Sequence, residues 1–270
     1  MARLGARSFD ATRLPGFRAV ALAAFALLYL PILTLVVFSF NESASMSDWG
    51  GLSLRWYRDA WANEVVQEAA ARSLVLATLA AILSTAVATP AALATVRQGP
   101  FRGRTAIYGL INQPLVVPEI VTGVSLLIVF GAVRAATGYQ GFGYLVLAHT
   151  AFCIPFAYLP IRARLETMDA TLEAAAADLY ASPGAAFRRV TLPLLLPGIA
   201  AGLMLAFVVS LDDVIITEFV KSAGQDTLPT YMLGQFRRTL TPEVNAISTA
   251  LLALTLVILT AFFLFTRKRG

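Results

Sequence analysis

The sequence predicts an all-α polytopic membrane protein with six transmembrane helices and both termini in the cytoplasm. Three observations carry that expectation. Of 270 residues, 58% are hydrophobic and only 14% are charged, far below the roughly 25% charged of a soluble domain. Six apolar runs are long enough to cross a hydrocarbon core of roughly 30 Å. Lys and Arg gather in alternate connections, as they do on the cytoplasmic side of a membrane.

The elements follow in order. Residues 1–18 form a cytoplasmic tail with Arg3, Arg7, Arg13 and Arg18 against one acid, Asp10. Ala19–Phe40 carries no charge and is the first span. A cleaved signal peptide is the rival reading, but the run is long for one. The following NESASMSDWG also lacks a small-residue cleavage pattern. Residues 41–72 are polar and hold all three Trp residues, Trp49, Trp56 and Trp61. Such rings favour the membrane–water boundary, so this external loop is expected to carry a short interfacial helix over WYRDAWANEVVQEAA.

Ser73–Val96 is the second span, with a bend expected at Pro90. RQGPFRGR (97–104) is a short basic turn. Thr105–Val133 is the third run, interrupted by Pro114, Pro118 and Glu119. Tyr144–Ile161 is the fourth, with His149, Cys153 and Pro155. Residues 162–189 make a long cytoplasmic connection. Val190–Thr217 is the fifth run, interrupted by Asp212 and Asp213. Residues 218–243 are a polar external loop. Val244–Thr266 is the sixth span, and residues 267–270 are a cytoplasmic tail. The six-span domain thus covers residues 19–266.

With both ends inside, 14 Lys and Arg fall in cytoplasmic segments and 7 outside, which favours this orientation. The same bias explains the sequence pI of about 9.7 at a mean hydropathy of +0.72. The implied partner of the basic residues is the lipid bilayer, and no nucleic acid is expected. One Cys and one His exclude an internal disulfide, a cysteine metal cluster and an imidazole metal site. Neither GxxxxGK[ST] nor HExxH is present. Pro, Gly and acids inside spans are tolerated where the backbone faces protein or a water-filled cavity. They are more typical of transport proteins than of anchors. Energy would then come from an ion gradient or from another chain.

Several residues stand out. Asp212 and Asp213 lie where an ionised carboxylate is expensive. They either attract a cation along a path or stabilise a helix break as a cap. Adjacent helical positions point about 100° apart, so one of the two is expected to face the path. Glu119 either starts a resumed helix, where a carboxylate is favoured, or faces a path or subunit. His149 is expected to bond between helices, and Cys153 to pack as a small buried residue. The connection around Glu173–Gly198, EAAAADLYASPGAAFRRVTLPLLLPG, reads as an Ala-rich helix ending near Ser182–Pro183–Gly184. A turn with Arg188 and Arg189 follows.

At LEAAAADLYASPGAAFRRVTLPLLLPGI (172–199) the chain resembles the cytoplasmic signature loop of permease subunits of bacterial ABC importers. SFNES (39–43), RWY (55–57), ARSLVLAT (71–78), PEIVTGVSLL (118–127), HTAFCIPF (149–156), SLDDVIITEFV (210–220) and TPEVNAIST (241–249) resemble the second permease of spermidine/putrescine-type systems. The resemblance implies an ABC importer type I permease fold in a bacterial inner membrane. It implies a sister permease in a heterodimer, a cytoplasmic ABC ATPase dimer and an external substrate-binding protein. This subunit would be non-catalytic and hold no cofactor, with ATP and Mg2+ on the ATPase.

ATPase coupling would fall to Glu173, Ala174, Ala175, Ala176, Asp178, Tyr180, Ala181, Ser182, Pro183, Arg188 and Arg189. Asp212, Asp213 and Glu119 would line the substrate path. The cargo would be a small organic cation, a polyamine such as spermidine or putrescine. Alternatives are an amino-acid-like compound, iron or an oxyanion, and, from the residues alone, an ion-coupled secondary transporter. Two positions depart from the family pattern. The family Gly falls at Tyr180, and the family Glu falls at Ala174, with Glu173 one residue early and about 100° round the helix.

Overall fold

Helix α1 (Phe17–Phe38) is apolar on every face and exposed along its length. A helix of that kind needs lipid or another chain around it. In the computed structural model of this chain, residues 16–45, 48–238 and 241–267 are described, with side chains described to Leu264. Arg3, Arg7, Arg13, Lys268 and Arg269 of the two tails lie outside the described residues.

After a loop come α2 (Arg55–Ala62), α3 (Glu64–Val96), α4 (Arg104–Val116), α5 (Glu119–Thr137) and α6 (Gly143–Thr167). Then follow α7 (Thr171–Asp178), α8 (Pro183–Ala186), a π-helical turn (Phe187–Thr191), α9 (Leu192–Asp212), α10 (Ile215–Val220), α11 (Leu228–Arg238) and α12 (Pro242–Arg267). Six described helical stretches are long and apolar enough to cross a membrane: α1, α3, α5, α6, Pro183–Asp212 and Pro242–Leu264.

The core is α3, α6 and α9 packed on one another. Lipid tails are as apolar as Leu, so helices in a bilayer gain by close packing of small residues. The buried face of α3 is accordingly Ala69, Ala77, Ala80, Ala81, Ala88 and Ala92. On α9, a Cβ built at Gly202 would lie 2.5 Å from the Ala157 carbonyl oxygen of α6. One turn earlier, a Cβ at Gly198 would lie 2.6 Å from Arg164 Cβ. Gly198 and Gly202 therefore let the two backbones approach. Cys153 packs fully buried in this interface, its Sγ 3.5 Å from the Ala206 carbonyl oxygen. Thr95 and Tyr158 add a buried hydroxyl pair at 2.8 Å.

The element boundaries differ from expectation at several places. The third run is two helices, because Pro118 has no N–H and holds Val117 extended at ψ 133°. Its second helix, α5, runs on to Thr137. The fifth run ends at Asp212, with α10 resuming separately. The polar segment 218–243 carries the second half of α10 and all of α11. The expected interfacial helix divides at Asn63, whose side chain caps α3 by accepting the Val65 N–H at 3.1 Å. The Ala-rich helix ends at Asp178, and Ser182 instead caps α8 by accepting the Ala185 N–H at 3.3 Å.

Candidate functional site

Three polar assemblies sit on this frame. The first is at the break between α9 and α10. Asp213 leaves the helix with ψ 134° and turns its carboxylate onto the start of α10. Oδ1 accepts the Ile216 N–H at 3.2 Å, and Oδ2 accepts the Thr217 N–H at 2.9 Å and the Thr217 hydroxyl at 2.8 Å. His149, fully buried on α6, closes the cluster. Its Nε2 lies 2.9 Å from Thr217 Oγ1 and its Nδ1 2.8 Å from Ser210 Oγ. Thr217 has one hydroxyl proton, already given to Asp213, so Nε2 is the donor. In a neutral ring Nδ1 then accepts from Ser210. His149 Nε2 is also 3.4 Å from Asp213 Oδ2. Glu119, the first residue of α5, is half-buried, and α5 packs against α10. The cluster thus ties α6, α9 and α10 together inside the apolar bundle.

Asp212 and Asp213 go opposite ways. Asp213 is buried, whereas Asp212 is exposed. Asp212 lies in a groove of about 330 Å³ with Val214, Pro229, Met232, Phe236 and Ser248. Close approach continues on the far side of the break, where a Cβ at Gly123 of α5 would lie 2.8 Å from the Phe219 ring.

The second assembly lies at the end of the bundle where α3 and α6 finish. The chain leaves α7 through a Schellman turn. The Ala181 N–H reaches the Ala176 carbonyl at 3.0 Å and the Tyr180 N–H reaches Ala177 at 2.9 Å. Tyr180 occupies the left-handed position of that turn at φ 59°, and its side chain is 98% exposed. Glycine is the usual residue there because it has no Cβ. Asp169 accepts the Thr171 N–H at 2.9 Å, and that bond holds its pKa below the usual carboxylate value. Glu173 is anchored rather than free, accepting the Thr191 hydroxyl at 3.0 Å and facing Arg97 Nε at 3.5 Å. Ala174, Ala175, Ala176 and Asp178 lie on the same short helix. Ser182 and Pro183 start α8, and Arg188 and Arg189 are exposed on the π-helical turn.

The third assembly lies at the opposite end. Lys221 Nζ meets Glu218 at 2.6 Å and Asp226 at 2.7 Å, and Arg237 lies 3.6 Å from Glu218. Arg72 Nη1 donates to the Asp226 carbonyl at 2.7 Å. Burial lowers the Lys221 pKa, but the bonds to Asp226 and Glu218 outweigh it and raise it overall. Beside this end, the SFNES and RWY blocks prove to be one structure. Trp56 Nε1 donates to the Asn41 carbonyl at 2.9 Å, and Ser39 Oγ and Tyr57 Oη lie 2.7 Å apart. The buried Asn41 side chain braces the loop, donating to the Asp48 carbonyl at 2.7 Å and accepting the Gly50 N–H at 2.8 Å. Among the described residues, no group of three His, Cys, Asp or Glu is placed to hold a metal ion.

Sequence reasoning missed Arg97, Thr191, Ser210 and Thr217 as members of these assemblies. Each is an ordinary polar residue whose partner is remote in the chain, so no local pattern marks it.

A helical frame with small-residue packing, a break carrying acids within the bundle and a built connection at one end is the architecture of a membrane permease. The chain belongs to the binding-protein-dependent transport system inner membrane component family, whose match covers residues 84–268. It is therefore a multi-pass inner-membrane protein. It is 38% identical over 252 residues to the putrescine transport system permease protein PotI of Escherichia coli strain K12, covering 92% of this chain and 90% of that one. It is 37% identical over 246 residues to the spermidine/putrescine transport system permease protein PotC of Haemophilus influenzae, covering 91% and 94%. In fold it is similar to a chain of a bacterial ABC transporter involved in the import of the acidic polysaccharide alginate. That TM-score is 0.69 at 15% identity, covering 93% of this chain and 94% of that one.

Proposed function

We propose that this chain is the permease subunit of an ATP-driven polyamine importer and performs no covalent chemistry itself. The observation that carries the reading is its likeness to PotI over 92% of its length. The assembly is a sister permease, a cytoplasmic ATPase pair and an external substrate-binding protein. Both termini lie on the ATPase side, as the distribution of Lys and Arg favours. The Tyr180 turn and the helices flanking it, with Arg188 and Arg189, meet the ATPase. ATP and Mg2+ are bound there and not on this chain.

The chemistry of the path agrees with a cation. A carboxylate near a bilayer centre costs roughly 2.5–3.5 kcal/mol on insertion scales. Asp212 is exposed at the end of α9, so it needs water or a cation beside it. Asp212 therefore offers the substrate a negative charge, while Asp213 holds the break in shape. Glu119, the first residue of α5 beside the same break, adds a second carboxylate to the path.

The test is reconstitution of the whole complex in proteoliposomes with labelled putrescine. Uptake is expected to require ATP and the binding protein, and Asp212→Asn is expected to lower it severalfold. Uptake driven by a proton gradient without ATP would overturn the reading. Equal uptake by Asp212→Asn would remove the cation argument for that residue.

A further inference from the structure

We propose that Arg97, Glu173 and Thr191 form a transmission joint that carries movement of α7 into the α3 and α9 spans. The inference rests on the ATPase-coupling reading and goes beyond it by naming the residues that pass the movement on.

The geometry joins four segments through three side chains. Arg97 is the C-cap of α3, and its Nη2 donates to the Met168 carbonyl, the C-cap of α6, at 3.3 Å. Its Nε lies 3.5 Å from Glu173 Oε1, in the first turn of α7. The same oxygen accepts from Thr191, the last residue of the π-helical turn and the N-cap of α9, at 3.0 Å. α7 itself holds no buried residue. With so little packing to hold it, the polar joint is the direct connection from α7 to α3.

Two features make the joint suited to motion. The Arg97 and Glu173 side chains are only 19% and 30% exposed, so water screens the pair incompletely. Arg97 Nε is also buried without a hydrogen-bond partner among the described residues. A buried unpaired N–H is costly. A shift of α7 toward α3 by about half an ångström would convert the 3.5 Å ion pair into a charge-assisted hydrogen bond. The contact thus has a slack state and a tight state. The π-helical turn beside it is a rare form of helix that recurs at functional positions. It gives the start of α9 a place to yield.

The joint also accounts for the displaced carboxylate. Glu173 stands one residue before the family position and faces inward to Arg97 and Thr191, leaving the outer face of α7 to the partner.

The experiment measures putrescine transported per ATP hydrolysed by the full reconstituted complex. Arg97→Gln, Glu173→Gln and the double variant are compared with Thr191→Val. Each single variant is expected to lower the ratio about three- to tenfold, within the range of coupling-network substitutions. The double variant should lose no more than either charge variant alone, because the two act as one contact. Arg97→Lys, which keeps the charge, should restore most of the ratio, and the ATPase should still co-purify. An unchanged ratio, or losses that add in the double variant, would overturn the joint. So would loss of assembly in every variant, Thr191→Val included, since the contact would then serve folding alone. If the unaltered complex neither retains an ATPase nor couples uptake to ATP, the proposed function fails before the joint is at issue.

Discussion

Tyr180 shows how a single position can carry strain in the open. A non-glycine residue in the left-handed region costs roughly 1–2 kcal/mol, and here no packing repays it because the ring is exposed. Tyr180→Gly should therefore raise the melting temperature of the detergent-purified protein, by an amount corresponding to roughly 1 kcal/mol. A lower melting temperature would show that the ring stabilises the turn in some other way. Gly202 is the opposite case, with no room for a side chain. Gly202→Val should destabilise by about 1–3 kcal/mol, since the obstacle is the Ala157 backbone rather than a movable side chain. Gly184→Ala, which meets nothing within 4 Å, is the matched control in the same melting assay.

Among elements, α10 depends on one carboxylate. Asp213 accepts two of its backbone N–H groups and the Thr217 hydroxyl. Asp213→Asn would place an amide against one of these donors, with a cost of about 1–3 kcal/mol. Faster hydrogen exchange confined to residues 214–220 is the expected signature, and unchanged exchange there would remove the capping role. The Lys221 cluster adds a pH dependence of definite sign. A raised lysine pKa contributes stability that is fully present below the unfolded value of about 10.4. That contribution is lost as pH rises through the folded value. Lys221→Met should therefore be less stable than the native chain at neutral pH, and the difference should shrink as pH rises through the folded lysine value. Melting curves across the alkaline range check it.

The whole molecule is a bundle with a tight centre and a bare exterior. The α3–α6–α9 core is closed by Ala and Gly, whereas α1, nearly all of α5 and the later turns of α12 leave their apolar faces uncovered. Lipid and other subunits are what such faces require. Movement of one end relative to the other must then pass through the packed centre or the polar joints at its ends. Replacing Ala175–Ser182 by a flexible Gly/Ser segment of equal length should abolish ATP-driven uptake. Membrane insertion and the six spans should survive, as read by cysteine accessibility of the loops. Loss of insertion would mean that the segment is needed for the fold itself.

The six spans were legible in the sequence because bilayer thickness imposes a length and a composition on every crossing segment, independent of what the segment touches. Tyr180 stood out only as a departure from the family pattern, and the helix end was expected later, near Ser182–Pro183–Gly184. The acids at 119, 212 and 213 were legible as anomalies, since each breaks a local rule of helix or membrane. Their geometry was not. Asp212 and Asp213 are chemically the same in sequence, and only the end of α9 at Asp212 sends one outward and turns the other onto α10. The joint of Arg97, Glu173 and Thr191 was invisible for the same reason. Its members lie 18 and more residues apart, and a hydrogen bond is decided by where packed helices end in space. The sequence by itself determined that this chain lives in a membrane as broken helices. The tertiary structure decided which polar groups meet, because in hydrocarbon each must find a partner from whichever helix the packing brings near.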